Sequence, residues 1–346
     1  MSVNLAWTIK SLLRYVLNAG QGIDFESIRR ILSIRESPFQ VLVEKLIEDN
    51  MLCIKDGKLF ITAKGRAYLS ELKMVDKFIC EKCEGTGFLT SLSEIAKHYC
   101  TRRKEPKMQI DQCPVIPLDI ARKVAFMYEM GDLTNKSLLC IGDADLFSLV
   151  AAAVGRPKEI YVIDIDREVL DVIQKTSEEM GFPIKVEAYD IRRLLKDEFP
   201  RHLKSRFDVF ETDPPYTEVG MKCFLALGMY SLKRIGVGYV TVPFLPTEEW
   251  SIELLFKTEK FIMENGFVIT NCIRSFQMCE CGDKVFSSLI RIERHYFRDV
   301  TLNYAEMDIR KFYTTRYSSD LNNDLGQYRA KNLNDRGKVV VHGQTN

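Results

Sequence analysis

Ile141-Gly142-Asp143-Ala144-Asp145 follows a hydrophobic run at 137–141 and precedes an apolar run at 146–154. The first run reads as a strand and the second as the helix after it. The run 160–163 is the next strand and leads into Asp164-Ile165-Asp166. An acid at a strand's carboxyl end accepts two hydrogen bonds at once, which is how such sheets hold ribose hydroxyls. A third strand, 207–211, leads into Thr212-Asp213-Pro214-Pro215-Tyr216. It puts a carboxylate and an aromatic ring where reacting groups sit. The order and spacing are those of a nucleoside-binding sheet. The first loop carries one glycine and two acids, whereas a pyrophosphate cradle is glycine-rich. A dinucleotide is therefore disfavoured, and a cationic ligand or substrate is favoured.

Further along come a strand near 185–188 ending at Asp190, a helix after Thr217, a strand at 238–242 and a helix at 249–265. Two late strands follow near 267–272 and 285–292. Alternating strands and helices imply a mostly parallel sheet covered on both faces. The expected class is α/β, a Rossmann-like, methyltransferase-type doubly wound sheet, with the two late strands closing it as a hairpin.

Residues 1–75 read as a small winged-helix domain. Helices are expected at 4–18, after a cap at Asp24, and from Ser37-Pro38, with a hairpin turning at Asp56-Gly57. The third helix, 37–50, carries Glu44, Glu48 and Asp49 against only Lys45. A helix entering the major groove should be basic, so docking or dimerisation is favoured over DNA reading. Residues 76–112 read as a connector containing Cys80-Glu81-Lys82-Cys83. Such a pair is half a zinc site. His98, Cys100, Cys113, Cys279 or Cys281 would have to complete it, and the alternative is a metal-free knuckle with free thiols. The catalytic domain spans 113–300, and the tail, 301–346, reads as partly flexible.

The 346 residues are enough for two or three domains. A net charge of +1 gives no global bias toward nucleic acid or anionic membranes. No apolar run approaches the roughly 20 residues needed to cross a bilayer. The first residues lack the layout of a signal peptide, and a cytoplasmic protein is expected. Its ten cysteines then read as thiols or metal ligands before disulfides.

Asp111-Gln112, Leu118-Asp119, Gly131-Asp132-Leu133, Gly142-Asp143-Ala144-Asp145, Asp164-Ile165-Asp166 and Asp213-Pro214-Pro215 together resemble the branched-chain polyamine synthases, a family of aminopropyltransferases. The resemblance extends to the winged helix and the single Cys-x-x-Cys. It implies transfer of aminopropyl groups from decarboxylated S-adenosylmethionine to the central secondary amine of spermidine, or of a related linear polyamine. Branched polyamines and methylthioadenosine are the implied products. A homodimer is expected, with no membrane and no nucleic acid. Two positions depart from the family pattern. The loop Gly-Asp-Asp-Asp has Ala144 in the middle, and Asp-Pro-Pro, often followed by Glu, is followed by Tyr216. The second change approaches the motif of amino-group methyltransferases, so a methyltransferase using ordinary S-adenosylmethionine on an amine of nucleic acid or protein is the alternative. A nucleoside-sensing regulator is a third reading, disfavoured by the acidic third helix.

On this resemblance Asp145 matches the last acid of the loop and is the candidate base; a helix N-cap is its plainer role. Asp143 faces the donor's aminopropyl nitrogen or sulfonium. Asp164 holds the ribose, against the alternative of a solvated strand end. Asp190 receives the adenine amino group, with Ile165 and Ile191 on either side of the ring. Gly142 and Gln112 complete the donor site, although Gln112 could equally be a surface turn. Asp213 binds an acceptor amine, with Glu211 beside it. Tyr216 offers its ring to an ammonium or is simply core.

Overall fold

The structure is a computed structural model that describes residues 5–32, 36–71, 90–245, 248–279, 285–296, 298–303 and 307–314. The N-terminal unit runs α1 (Leu5–Asn18), β1 (Ile23–Asp24), α2 (Phe25–Ile31), α3 (Glu36–Glu48), β2 (Leu52–Lys55), β3 (Lys58–Ile61) and α4 (Ala63–Glu71). Asp24 Oδ1 accepts from Ser27 N at 2.8 Å, which starts α2 as the sequence indicated. Leu12, Val16, Ile28, Phe39, Leu46 and Leu59 close one core beneath an antiparallel sheet of order β1-β3-β2.

The larger unit opens with α5 (Thr90–Cys100) and α6 (Pro117–Glu129). Helix α5 lies inside the stretch read as a connector. Its buried Leu92, Ala96 and Tyr99 have helical spacing and pack against α6 and α7 (Phe147–Gly155). Strands β4 (Ser137–Ile141), β5 (Glu159–Asp164) and β6 (Ile184–Ala188) step outward in parallel, with α8 (Arg167–Met180) crossing between the last two. The chain then returns to the other side of β4 with β7 (Phe207–Thr212), α9 (Glu218–Ser231), β8 (Leu232–Pro243) and α10 (Glu249–Glu264). The antiparallel pair β9 (Phe267–Met278) and β10 (Phe286–Arg294) closes the sheet in the order β6-β5-β4-β7-β8-β10-β9. The strand order reverses at β4, and a ligand crevice opens beyond the carboxyl ends there.

Strand β4 is buried throughout because both its faces are covered. Leu138 and Cys140 join the core under α5 to α8, and Leu139 and Ile141 join the core under α9. The two units meet along α1 and α6. Lys10 Nζ donates to Tyr128 O at 3.1 Å, and Arg14 pairs with Glu129 at 3.2 Å. Burial lowers the Lys10 pKa despite the nearby Glu129 and Asp132 carboxylates.

Three expectations need correction. Strand β9 continues to Met278 and β8 begins at Leu232, both well beyond the runs read from sequence. Cys113 and Cys279 form a disulfide rather than serving as thiols or metal ligands, because the bridge between Val115 and Cys279 brings the two segments side by side. They are therefore lost to any zinc site. Of the other residues in that reading, His98 and Cys100 lie on α5, while Cys80, Cys83 and Cys281 lie outside the described residues, as does the tail from Ser318. Among the described residues, no group of three or more His, Cys, Asp or Glu side chains is placed to hold a metal ion, and no helix is long and apolar enough to cross a membrane.

Candidate active site

The first loop is fixed by its neighbours. Gly142 takes a left-handed φ of 74° while its N–H donates to Ile163 O at 2.8 Å. A side chain is disfavoured at that φ. The next amide, Asp143 N, donates to Asp164 Oδ2 at 2.9 Å, and Asp166 N donates to Asp164 Oδ1 at 2.8 Å. Asp164 is thus not a solvated strand end but a buried acid joining two loops. Burial raises its pKa against the pull of those amides. Each carboxylate oxygen retains acceptor capacity for a ribose hydroxyl.

Around it lies a cleft with two lips. Asp166 caps α8 through Glu168 N and accepts from Lys107 Nζ at 2.7 Å and Gln112 Nε2 at 2.9 Å. Burial opposes its charge, but Lys107 and Gln112 outweigh it and lower its pKa. Gln112 is therefore tied to the turn after β5. On the other lip, Asp190 caps the 3-10 turn Ile191–Lys196 and is gripped by Arg192, with Nη2 at 2.7 Å. Burial works against its charge, yet the Arg192 hydrogen bonds lower its pKa. Expected to receive the adenine amino group, it is an ion-pair partner of Arg192 in the free chain. Ile191 is buried behind it, and Ile165 is half-buried.

Four acids converge at the carboxyl ends of β4 and β7. Asp143 is buried and accepts from Ser148 N at 3.2 Å; burial pushes its pKa well up. Asp145 does not cap α7, which removes the plainer of the two roles read for it. The helix begins at Phe147 after Leu146 turns through a left-handed φ of 59°. That turn swings Asp145 toward the segment before α6. There its Oδ1 accepts from Val115 N at 2.9 Å and pairs with Arg103 Nη2 at 2.8 Å. Arg103 also donates to Asp145 O and to Val115 O. Burial raises the Asp145 pKa, and Arg103 opposes that shift.

Glu211 was expected to meet substrate, but it forms a buried ion pair with Lys123 at 2.8 Å. The reason is that β7 places it against the inner face of α6. Among the described residues, no such cation is bonded to Asp213. It accepts from Tyr216 Oη at 3.2 Å and Gln277 Nε2 at 2.5 Å, and burial pushes its pKa up to about 7. Tyr216 Oη also lies 2.7 Å from Ser287 Oγ. Ser287 and Gln277 stand opposite each other on β10 and β9. Nearby, Asp119 accepts from Met278 N at 2.9 Å and pairs with Arg122 at 3.0 Å.

Sequence reasoning missed Arg103, Lys123, Gln277 and Ser287. Lys123 left a signal, since it falls on the apolar stripe of α6 with Ile120, Val124 and Met127. A lysine there needs a buried partner. The other three left none, because their partners lie tens of residues away or more in the chain.

The family model for the branched-chain polyamine synthase A C-terminal domain matches residues 88–319, which hold every residue of this cleft. The chain belongs to that family. It is 34% identical over 249 residues to an uncharacterised protein of Methanocaldococcus jannaschii, covering 70% of this chain and 61% of that protein, less than two thirds of its length. It is 30% identical over 281 residues to the N(4)-bis(aminopropyl)spermidine synthase of Thermococcus kodakarensis, covering 78% of this chain and 76% of that one. The branched-chain polyamine synthase of Thermus thermophilus, solved with N4-aminopropylspermidine and 5'-methylthioadenosine, has the same fold. The TM-score is 0.56 at 23% identity, covering 86% of this chain and 91% of that chain. The methyltransferase-like sheet and the family expected from the motifs are therefore the ones found.

Proposed function

We propose that this chain is an aminopropyltransferase that moves aminopropyl groups from decarboxylated S-adenosylmethionine to the central secondary amine of spermidine or a related linear polyamine. The observation that carries this reading is the charge of the cleft. Among the described residues, Asp143, Asp145, Glu211 and Asp213 are met by the two cations Lys123 and Arg103, and burial raises the pKa of all four acids. Such an excess of carboxylate suits a polycation and the ammonium of a decarboxylated donor. The carboxylate of the ordinary donor would be repelled.

In the reaction, a neutral amine attacks the carbon beside the sulfonium, the carbon–sulfur bond breaks and methylthioadenosine leaves. Freeing an ordinary alkyl amine of its proton at neutral pH costs about 4.6 kcal/mol. Cationic arms on either side of a central amine reduce that cost. Asp145 takes the proton. Val115 N and Arg103 hold its Oδ1, which leaves Oδ2 for the attacking amine, and burial makes it a stronger base than an exposed aspartate. Asp143 meets the donor's aminopropyl end, Asp164 the ribose, and Asp213 with Tyr216 an acceptor ammonium. The N-terminal unit is a winged helix used for docking, in keeping with its acidic α3 and its hold on α6.

The test incubates the full chain with spermidine and either decarboxylated or ordinary S-adenosylmethionine, followed by mass analysis. The expected result is methylthioadenosine plus spermidine enlarged by aminopropyl units, from the decarboxylated donor alone. Methylated product from the ordinary donor would overturn the reading.

A further inference from the structure

The segment 307–314 returns from the far side of the sheet and crosses its carboxyl edge. Phe312 is 1% exposed and packs near Phe224, with ring centroids 6.2 Å apart. Its carbonyl accepts from Thr217 Oγ1 at 2.8 Å, the same hydroxyl that caps α9 through Gly220 N. A Cβ on Gly220 would come within 2.7 Å of Phe312 O, so the glycine lets the segment seat against α9. Two residues on, Thr314 N donates to Asp111 Oδ2 at 2.6 Å, and Thr314 Oγ1 donates to Asp111 Oδ1. Asp111 precedes Gln112 on the lip tied to Asp166. The strap is thus fastened to α9 at one point and to the donor-side loop at the next.

Tyr313 sits between the two fastenings. Its ring lies 5.8 Å from the Arg192 guanidinium, which grips Asp190 on the opposite lip. Burial raises its phenol pKa, the Arg192 guanidinium opposes that shift, and Asp190, Asp164 and Asp111 add to it. Asp164 ends β5 and Asp190 follows β6, so the ring stands at the sheet's carboxyl edge, with one side packed against the core under α9. Phe312 already supplies the anchor, and Tyr313 is only half-buried.

We infer that Tyr313 is a nucleoside-binding residue, held across the cleft by the Asp111–Thr314 and Thr217–Phe312 contacts, and that its ring forms one wall for the donor's adenosine. This rests on the aminopropyltransferase reading only in the identity of the donor. Aromatic contact with a nucleobase is sequence-tolerant and additive to hydrogen bonding, and its loss weakens binding by roughly five- to a hundredfold.

The experiment is calorimetric titration of the full chain with 5'-methylthioadenosine, for wild type, Tyr313→Ala, Tyr313→Leu, Tyr313→Phe and Asp111→Ala. Tyr313→Ala and Tyr313→Leu should both bind at least fivefold more weakly, which separates the ring from its bulk. Tyr313→Phe should stay within about threefold of wild type, and Asp111→Ala should weaken binding by releasing the strap. The acceptor's KM should not change in Tyr313→Leu. Wild-type affinity in both Tyr313→Ala and Tyr313→Leu would overturn the inference. Should wild type bind S-adenosylhomocysteine in place of methylthioadenosine, the aminopropyl reading falls, and the same variants titrated with that ligand judge Tyr313. Wild type binding neither would overturn both.

Discussion

Two groups of buried charge share one face of the sheet and differ in how that charge is met. In the first, Asp132 lies under Tyr239 and Arg291. It accepts from Tyr239 Oη at 2.5 Å and Arg291 Nε at 2.9 Å. Arg291 goes on to Glu293 and to Thr270 Oγ1. Asp132 and Arg291 are fully buried. In the second, beyond the strand ends, Asp213 is held by neutral donors and four carboxylates face two cations. A buried carboxylate bonded directly to a buried cation, as Asp132 is to Arg291, holds the fold in one arrangement. Asp213 has only neutral donors bonded to it among the described residues, and a cationic ligand would offset the cost of its buried charge. Both contain residues of the family motifs, so motif matching alone does not separate scaffold from site.

The largest expected effect tests the second group. Asp145→Asn keeps an oxygen for Val115 N but loses the basic oxygen and the charge. Turnover should fall by about a hundred- to ten-thousandfold, with little change in donor affinity, as single-turnover kinetics and donor titration would show. Near-normal turnover in this variant, with a dead Asp213→Asn, would move the base to Asp213.

The first group is tested by Arg291→Met, which strands Asp132 in the core. Breaking a buried pair this way costs roughly 3–5 kcal/mol, so the denaturation midpoint should drop sharply. Turnover per folded molecule should hold. Loss of turnover in samples that circular dichroism shows to be folded would mean that the network reaches the chemistry and that the contrast between the groups is false.

The smallest effect concerns pH. The Asp213 carboxyl is pushed up to about 7 in the folded chain, so the folded state keeps this proton after the unfolded state has lost it. Between about pH 4 and pH 7 its ionisation therefore erodes stability as pH rises. Asp213→Asn removes that cost. The free variant should melt above wild type near roughly pH 8, and the gap should close toward roughly pH 4. Added spermidine should narrow it from the other side by stabilising wild type. A pH-independent difference would show that Asp213 is neutralised within the free protein.

Much of this was legible in the chain. The period and order of the hydrophobic runs gave the parallel strands, since a strand buried on both faces must be apolar throughout. The acids at 143, 145, 164 and 213 stand beside those strands in sequence, so their place at the carboxyl ends followed directly. Strand lengths were less legible: β9 extends through alternating exposed positions that carry no continuous apolar signal.

The sequence by itself determined the sheet, the family and which acids gather at its open end, because those depend on neighbours along the chain. Only the tertiary structure decided what each acid does there. Lys123 pairs with Glu211, Arg103 clamps the Asp145 carboxylate, and Cys113 meets Cys279 across 166 residues. Each of these partners is distant in sequence. A buried charge takes its protonation and its role from whatever the fold sets within a few ångströms of it.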